Sequence, residues 1–419
     1  MADQTALYQW TVIVGTYLPG LSRTQVRVLA QWSLGLVLAR SCALTAVSLF
    51  WATALGHSED AARQRLREWC YAAPDKAGAK RGHKRRDVPV WDCFVPLLRW
   101  VLSWWEGNQL ALAIDATTLG ERFVVLAVSV VYRGCAIPVA WVILPAGEKH
   151  AWKHEWLRLL RHLWPAIATT MTVIVLARCA RYARWLFVRI RRLGWHPFLR
   201  VNAGGTFRPD GWRRFQRLGA FVPTPDSHWQ GTGTAFQGKQ SQLRCTLLAW
   251  RKAGCKEAWL ILTDLPPDVA DAGWYGLRAW IEQGFKITKR GGWQWQRTRM
   301  TDPDRAARLW LAVAVATLWL LSVGGAAEAA ASDGVPESTL LDVTPSLALG
   351  RRQRRATRLR VISLFRRGLT LIWAARLARQ PLPTGRFVPD PWPTMPTADH
   401  GRPTPPLPLP YSLPRQEAA

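Results

Sequence analysis

Residues 274–292 read WYGLRAWIEQGFKITKRGG. Taken as one helix turning about 100° per residue, with Tyr275 at zero, the segment puts Arg278 at roughly −60°, Glu282 at roughly −20° and Lys289 at roughly −40°. A phenol, a guanidinium, a carboxylate and an ammonium group then share one narrow face. Leu277, Trp280 and Ile281 fall on the other side, with Phe285 at roughly −80° on its edge, an apolar stripe suited to packing on a sheet. The spacing predicts a long helix from Val269 to Lys289. Composition alone suits an ordinary amphipathic surface helix equally well.

The sequence upstream supplies a sheet. Leu110–Ile114 is a short apolar run ending at Asp115, within ALAIDATTLG. Two longer β-rich runs, Phe123–Tyr132 and Cys135–Leu144, are joined by Arg133-Gly134, a hairpin signal. A helical pattern over His154–Leu163, an apolar strand at Thr172–Leu176 and a helix over Tyr182–Arg192 follow. This alternation predicts an α/β fold with a mixed sheet. Residues 197–262 carry strand-like pieces, Pro197–Val201 and Cys245–Trp250, among Gly, Gln and Ser, and read as a small β insertion. Trp259–Leu262 is a further strand, stopped by Pro266-Pro267.

The flanks differ in character. Residues 5–72 read as helical, with Ser58-Glu59-Asp60 starting a helix over Ala61–Cys70. The domain reading is a helical region over 1–90, ending in the basic connector Lys76–Arg86, then an α/β domain over 91–335. A basic segment over 336–380, with an amphipathic helix at Arg351–Arg379, precedes a Pro-rich tail over 381–419 that is expected to be disordered.

The spacing Tyr275, two residues, Arg278, three residues, Glu282, six residues, Lys289 resembles the YREK signature of DDE transposases of bacterial insertion sequences. The resemblance runs from about Asp92 to Val323, and only loosely through the N-terminal helices. It implies an RNase H-like catalytic domain, preceded by a region that binds the DNA ends. It implies that Asp115 and Glu282 are the first and third acids of a metal site for Mg2+ or Mn2+. It further implies that Tyr275, Arg278 and Lys289 hold DNA phosphates near the cleaved end. The chemistry so implied uses two divalent cations about 4 Å apart to activate the attacking oxygen and stabilise the leaving one. Water frees a 3′-hydroxyl at the element end, and that hydroxyl attacks target DNA.

One position departs from the pattern. The family typically reads apolar strand, Ala, Asp, Arg, Gly, then a helix with Tyr. Residues 172–182 read TVIVLARCARY, so Arg178 stands where the second Asp belongs. Hard cations take carboxylate oxygens, and an arginine cannot be deprotonated. Metal binding is therefore expected to be weakened. Asp264, in WLILTDLPP, is the nearest later strand-end carboxylate, and its substitution for the lost acid stays open. Two functions follow: a transposase with impaired cutting and joining of DNA, or a catalytically inactive DNA-binding protein on a transposase scaffold.

Composition points the same way. Lys and Arg number 56 against 28 Asp and Glu, a formal net charge of +28. An excess of that size fits a polyanionic partner, because each neutralised phosphate releases condensed counterions. The expected partner is double-stranded DNA, at element ends and at the target, with a dimer on DNA left open. The seven cysteines form no C-x-x-C pair, which argues against a disulfide framework and a thiolate zinc site and for a reducing cytosol. The start, MADQTALYQW, lacks the charged segment of a signal peptide, so the expected location is the cytoplasm, at the nucleoid. Leu309–Ala327 is nineteen residues without a charge and meets the length rule for a membrane span. Its Gly324-Gly325 pair and the Ala-rich sequence after it suit a buried core helix, so no membrane is expected.

Overall fold

The computed structural model describes residues 2–79, 85–147, 152–179, 183–255, 257–332 and 362–395. In chain order its elements are α1 (Ala2–Tyr17), α2 (Arg23–Ala39), α3 (Leu44–Leu55), α4 (Glu59–Cys70), α5 (Val90–Ser103), β1 (Gln109–Leu119), β2 (Phe123–Tyr132), β3 (Cys135–Pro145), α6 (Trp152–Leu163), β4 (Thr172–Arg178) and α7 (Ala183–Arg192). Then come β5 (His196–Arg200), β6 (Thr206–Pro209), β7 (Gln216–Arg217), β8 (His228–Ala235), β9 (Leu243–Trp250), β10 (Trp259–Thr263), α8 (Ala279–Lys286), α9 (Pro303–Ser332) and α10 (Leu364–Leu377). They fall into two compact units. One holds Met1–Ala177, Leu193–Trp195 and Leu277–Pro391, and the other holds the rest.

The first unit is built on strands in the order β3-β2-β1-β4. β1 runs antiparallel to β2 and parallel to β4, and β2 runs antiparallel to β3. A three-strand meander followed by a helix and a parallel fourth strand is the expected mixed α/β arrangement. The hairpin signal holds. Arg133 and Gly134 have φ of 45° and 84°, and Tyr132 pairs with Cys135 across a two-residue turn. Helices α5, α6, α8 and α9 pack on these strands, so β2 is buried along nearly its whole length and reads as a continuous apolar run.

Helix α9 is the core of this unit. Every residue from Leu309 to Ser322 is within 2% of complete burial, and that stretch is most of the uncharged run. It is long and apolar enough to cross a membrane, and 94% of the qualifying window is buried inside the protein. Glycine lets it approach α10 closely. A Cβ at Gly324 would run into the Leu364 carbonyl, and one at Gly368 into the Leu320 carbonyl. The N-terminal helices pack on α9 as well: Trp10 stacks on Trp319 at 4.2 Å, and Trp69 donates to the Arg308 carbonyl at 2.9 Å. Residues on both sides of position 90 fall in the first unit. Ser58 caps α4 as its sequence suggests, accepting a hydrogen bond from the Ala61 amide.

The second unit contains α7 and six antiparallel strands in the order β5-β10-β9-β8-β6-β7. It is the β-rich insertion read between residues 197 and 262, extended at both ends.

Three expectations need correction. The long helix over Val269–Lys289 is three pieces: a 3-10 helix over Ala272–Arg278, α8, and a π turn over Ile287–Gly291. Asp271 replaces the missing start, accepting from the Gly273 amide at 2.6 Å. The basic helix is described only as α10, because 351–361 lie outside the described residues, as do 80–84 of the basic connector. The tail is ordered from Pro381 to Met395. Phe387 is fully buried, pairs with Trp105 in a parallel bridge, and exchanges backbone hydrogen bonds with Trp104 and Glu106 at 2.6 and 2.9 Å. Proline stiffens such an extended strap and lowers the entropy lost on docking it, while Leu382, Phe387 and Val388 supply apolar surface to bury. Residues 396–419 lie outside the described residues.

Candidate active site

Asp115 lies inside β1 rather than at its end, which corrects the sequence reading. The strand continues because its hairpin partner does: Asp115 pairs with Ala127 and Leu119 with Phe123. On the other side, the pairing with β4 stops at Ala113 opposite Leu176. Asp115 is thus the first acid beyond the doubly flanked stretch of β1. Side chains alternate along a strand, so Asp115 and Thr117 point to the same face.

The YREK segment meets that face. The Arg278 guanidinium forks between two carboxylates, with Nη2 at 2.6 Å from Asp115 Oδ2 and Nη1 at 3.3 Å from Glu282 Oε1. Asp115 also accepts the Ala116 amide at 3.0 Å. The Arg278 side chain is only 13% exposed, whereas Glu282 is 59% exposed. Burial pushes the Asp115 carboxyl above its ordinary range, and the Arg278 charge offsets only part of that. Two residues along β1, Thr117 Oγ1 accepts a hydrogen bond from Lys289 Nζ at 2.7 Å. Burial lowers the Lys289 ammonium from its ordinary value.

The structure thus brings together Asp115, Arg278, Glu282 and Lys289. Tyr275 belongs to the second unit. Its ring is buried in the second unit, edge-on to Trp259 at 5.5 Å. A 3-10 turn keeps positions three apart in line, so it is the packing of the ring against Trp259, not the helix geometry, that buries Tyr275. A buried ring is poorly placed for the phosphate contact its signature position implies.

Arg178 closes β4. Its side chain is 56% exposed and lies 3.8 Å from Glu257, which pairs more closely with Arg200 at 2.7 Å. Asp264 is engaged as well: His196 lies 3.1 Å from one oxygen and Arg191 3.3 Å from the other. Both arrangements belong to the second unit.

The donor set does not fit a divalent metal pair. Among the described residues no group of three or more His, Cys, Asp or Glu is placed to hold a metal ion. The two acids that do meet have a guanidinium on the oxygens a cation needs.

Residues 180–319 match the family model of the transposase DDE domain. The matched span is about a third of the chain. It takes in Tyr275, Arg278, Glu282 and Lys289 and leaves out Asp115 and Arg178. No curated protein matches the chain. The match supports a transposase-type protein on an RNase H-like fold, and DDE domains of that kind generally use divalent metals. Sequence reasoning missed the double ion pair of Arg278 and the role of Thr117. The alternation of Asp115 and Thr117 in DATT was a usable signal for the second, and nothing short of coordinates gives the first.

Proposed function

We propose that this chain is a transposase-type DNA-binding protein whose acidic site has lost its second carboxylate, so that it holds double-stranded DNA but cuts it poorly or not at all. The observation that carries the reading is the meeting of Asp115, Arg278, Glu282 and Lys289 on one face of β1. Sequence-distant residues of the signature converge there on the strand-borne acid that the family resemblance assigns. The charge of +28 supports a DNA partner. Lys289 and Arg278 are the phosphate-binding groups of this reading, with the basic connector around Lys76 as an outlying contact. Tyr275 packs on Trp259 instead. The cytoplasm, at the nucleoid, is the location that follows, and a dimer is the form in which two ends would be held.

Arg178 is the reason for the loss of cutting. An arginine at the family's second-acid position supplies no carboxylate oxygen to a hard cation. Asp264 does not replace the lost acid, because His196 and Arg191 already hold both of its oxygens. Calorimetric titration with Mn2+ tests this. The unmodified chain is expected to show weak binding, and Arg178→Asp to strengthen it at least ten-fold. Equal affinity in the two proteins would remove Arg178 from the account.

A further inference from the structure

The same guanidinium that the signature makes a phosphate ligand here occupies the acids. Arg278 donates through separate terminal nitrogens to Asp115 and Glu282, so one planar fork spans two carboxylates. Its Nε is buried without a hydrogen-bond partner among the described residues, so its donors are not all satisfied. Two carboxylates and one guanidinium sum to a net charge of −1, against −2 for the acids alone. A cation approaching Asp115 Oδ2 and Glu282 Oε1 meets the positive charge first. Arginine cannot shed that charge by deprotonation, so it must move.

We propose that Arg278 is a resident counter-cation of the acidic pair and is exchanged for DNA phosphate: duplex binding draws it off Asp115 and Glu282 and leaves both acids open. The proposal rests on the reading of this site as a DNA-binding acidic pair. A phosphate offers the fork two oxygens in the geometry it already uses, with a charge-assisted bond to each. Nearby Lys289, tethered to Thr117 on the same strand face, does not compete for the acids. Arg278 is therefore a positioning residue that couples two ligands. By linkage the coupling is reciprocal: whatever releases Arg278 from the acids must strengthen its grip on DNA.

That reciprocity can be read without metal. Binding of a labelled non-specific duplex is measured in EDTA by fluorescence anisotropy for four proteins: unmodified, Asp115→Asn/Glu282→Gln, Arg278→Gln, and the triple variant. Neutralising the acids also removes a general repulsion of DNA, which acts in any background. The exchange adds a gain that needs Arg278. The expected result of neutralising both acids is a gain of five-fold or more with Arg278 in place and under two-fold in the Arg278→Gln background. Equal gains in both backgrounds would overturn the exchange while leaving the DNA-binding reading intact. No duplex binding by the unmodified chain would overturn both. Should the double variant fail to fold, Mn2+ titration of Arg278→Gln and Arg278→Lys in the absence of DNA decides the matter. Arg278→Gln is expected to bind Mn2+ at least ten-fold more tightly than the unmodified chain, and Arg278→Lys, a point charge that cannot span both acids, to fall between. Unchanged affinity in both variants contradicts the proposal.

Discussion

Asp115 is where burial and charge are most finely opposed. Its carboxyl sits above the ordinary value of 3.8 because burial outweighs the Arg278 ion pair. A folded-state value raised above the unfolded one means that the folded chain holds the proton more tightly. That contribution is complete below the unfolded value and is lost as pH rises through the folded one. Asp115→Asn keeps a neutral side chain at every pH. The variant is therefore expected to gain stability relative to the unmodified chain as pH is raised from about 4 to about 7, read as the difference in urea midpoint. A difference that stays flat, or moves the other way, would mean that the pair with Arg278 dominates. Lys289 tests the phosphate-binding role on the same strand face. Lys289→Ala removes the ammonium group held by Thr117 and is expected to lower the salt slope of duplex binding by about one unit, with little change in fold stability.

Among the elements, the C-terminal strap and the α9–α10 crossing carry the clearest expectations. Phe387→Ala empties a fully buried site between Trp105 and Tyr132 and is expected to cost about 3–5 kcal/mol in chemical unfolding. Truncation after Gln380 removes Leu382 and Val388 as well and should cost more. A truncated chain that melts like the full one would contradict the packing described. Gly368→Ala forces α10 away from the Leu320 carbonyl and is expected to cost about 1–3 kcal/mol by overpacking. These elements also mark what the sequence could tell. The hairpin at Arg133-Gly134, the cap at Ser58 and the strand at Thr172 were legible because each depends on local turn chemistry or a continuous apolar run. The strap was not, because its anchors are single residues, Leu382 and Phe387, whose partners lie far away in the sequence. The break of one long helix into 3-10, α and π pieces was likewise hidden, since all three share a similar apolar repeat over a few residues. At the site, Arg278, Glu282 and Lys289 were legible from spacing and Asp115 from its strand, whereas the burial of Tyr275 required the tertiary packing on Trp259.

For the whole molecule, a charge of +28 and a transposase DDE match over residues 180–319 converge on DNA. Duplex affinity is expected to fall by about a thousand-fold or more between 50 and 200 mM salt, as for a protein making several phosphate contacts. The two units contribute different things to the account: the first presents Asp115 and Glu282, and the second carries Arg178, engaged with Glu257. The most direct test of the central claim is Mg2+-dependent strand cleavage of an element-end duplex by the unmodified chain, with Asp115→Ala as the control. The unmodified chain is expected to bind the duplex and to leave both strands intact. Robust cleavage that is abolished in Asp115→Ala would contradict it, because the acids would then be working with Arg178 in place.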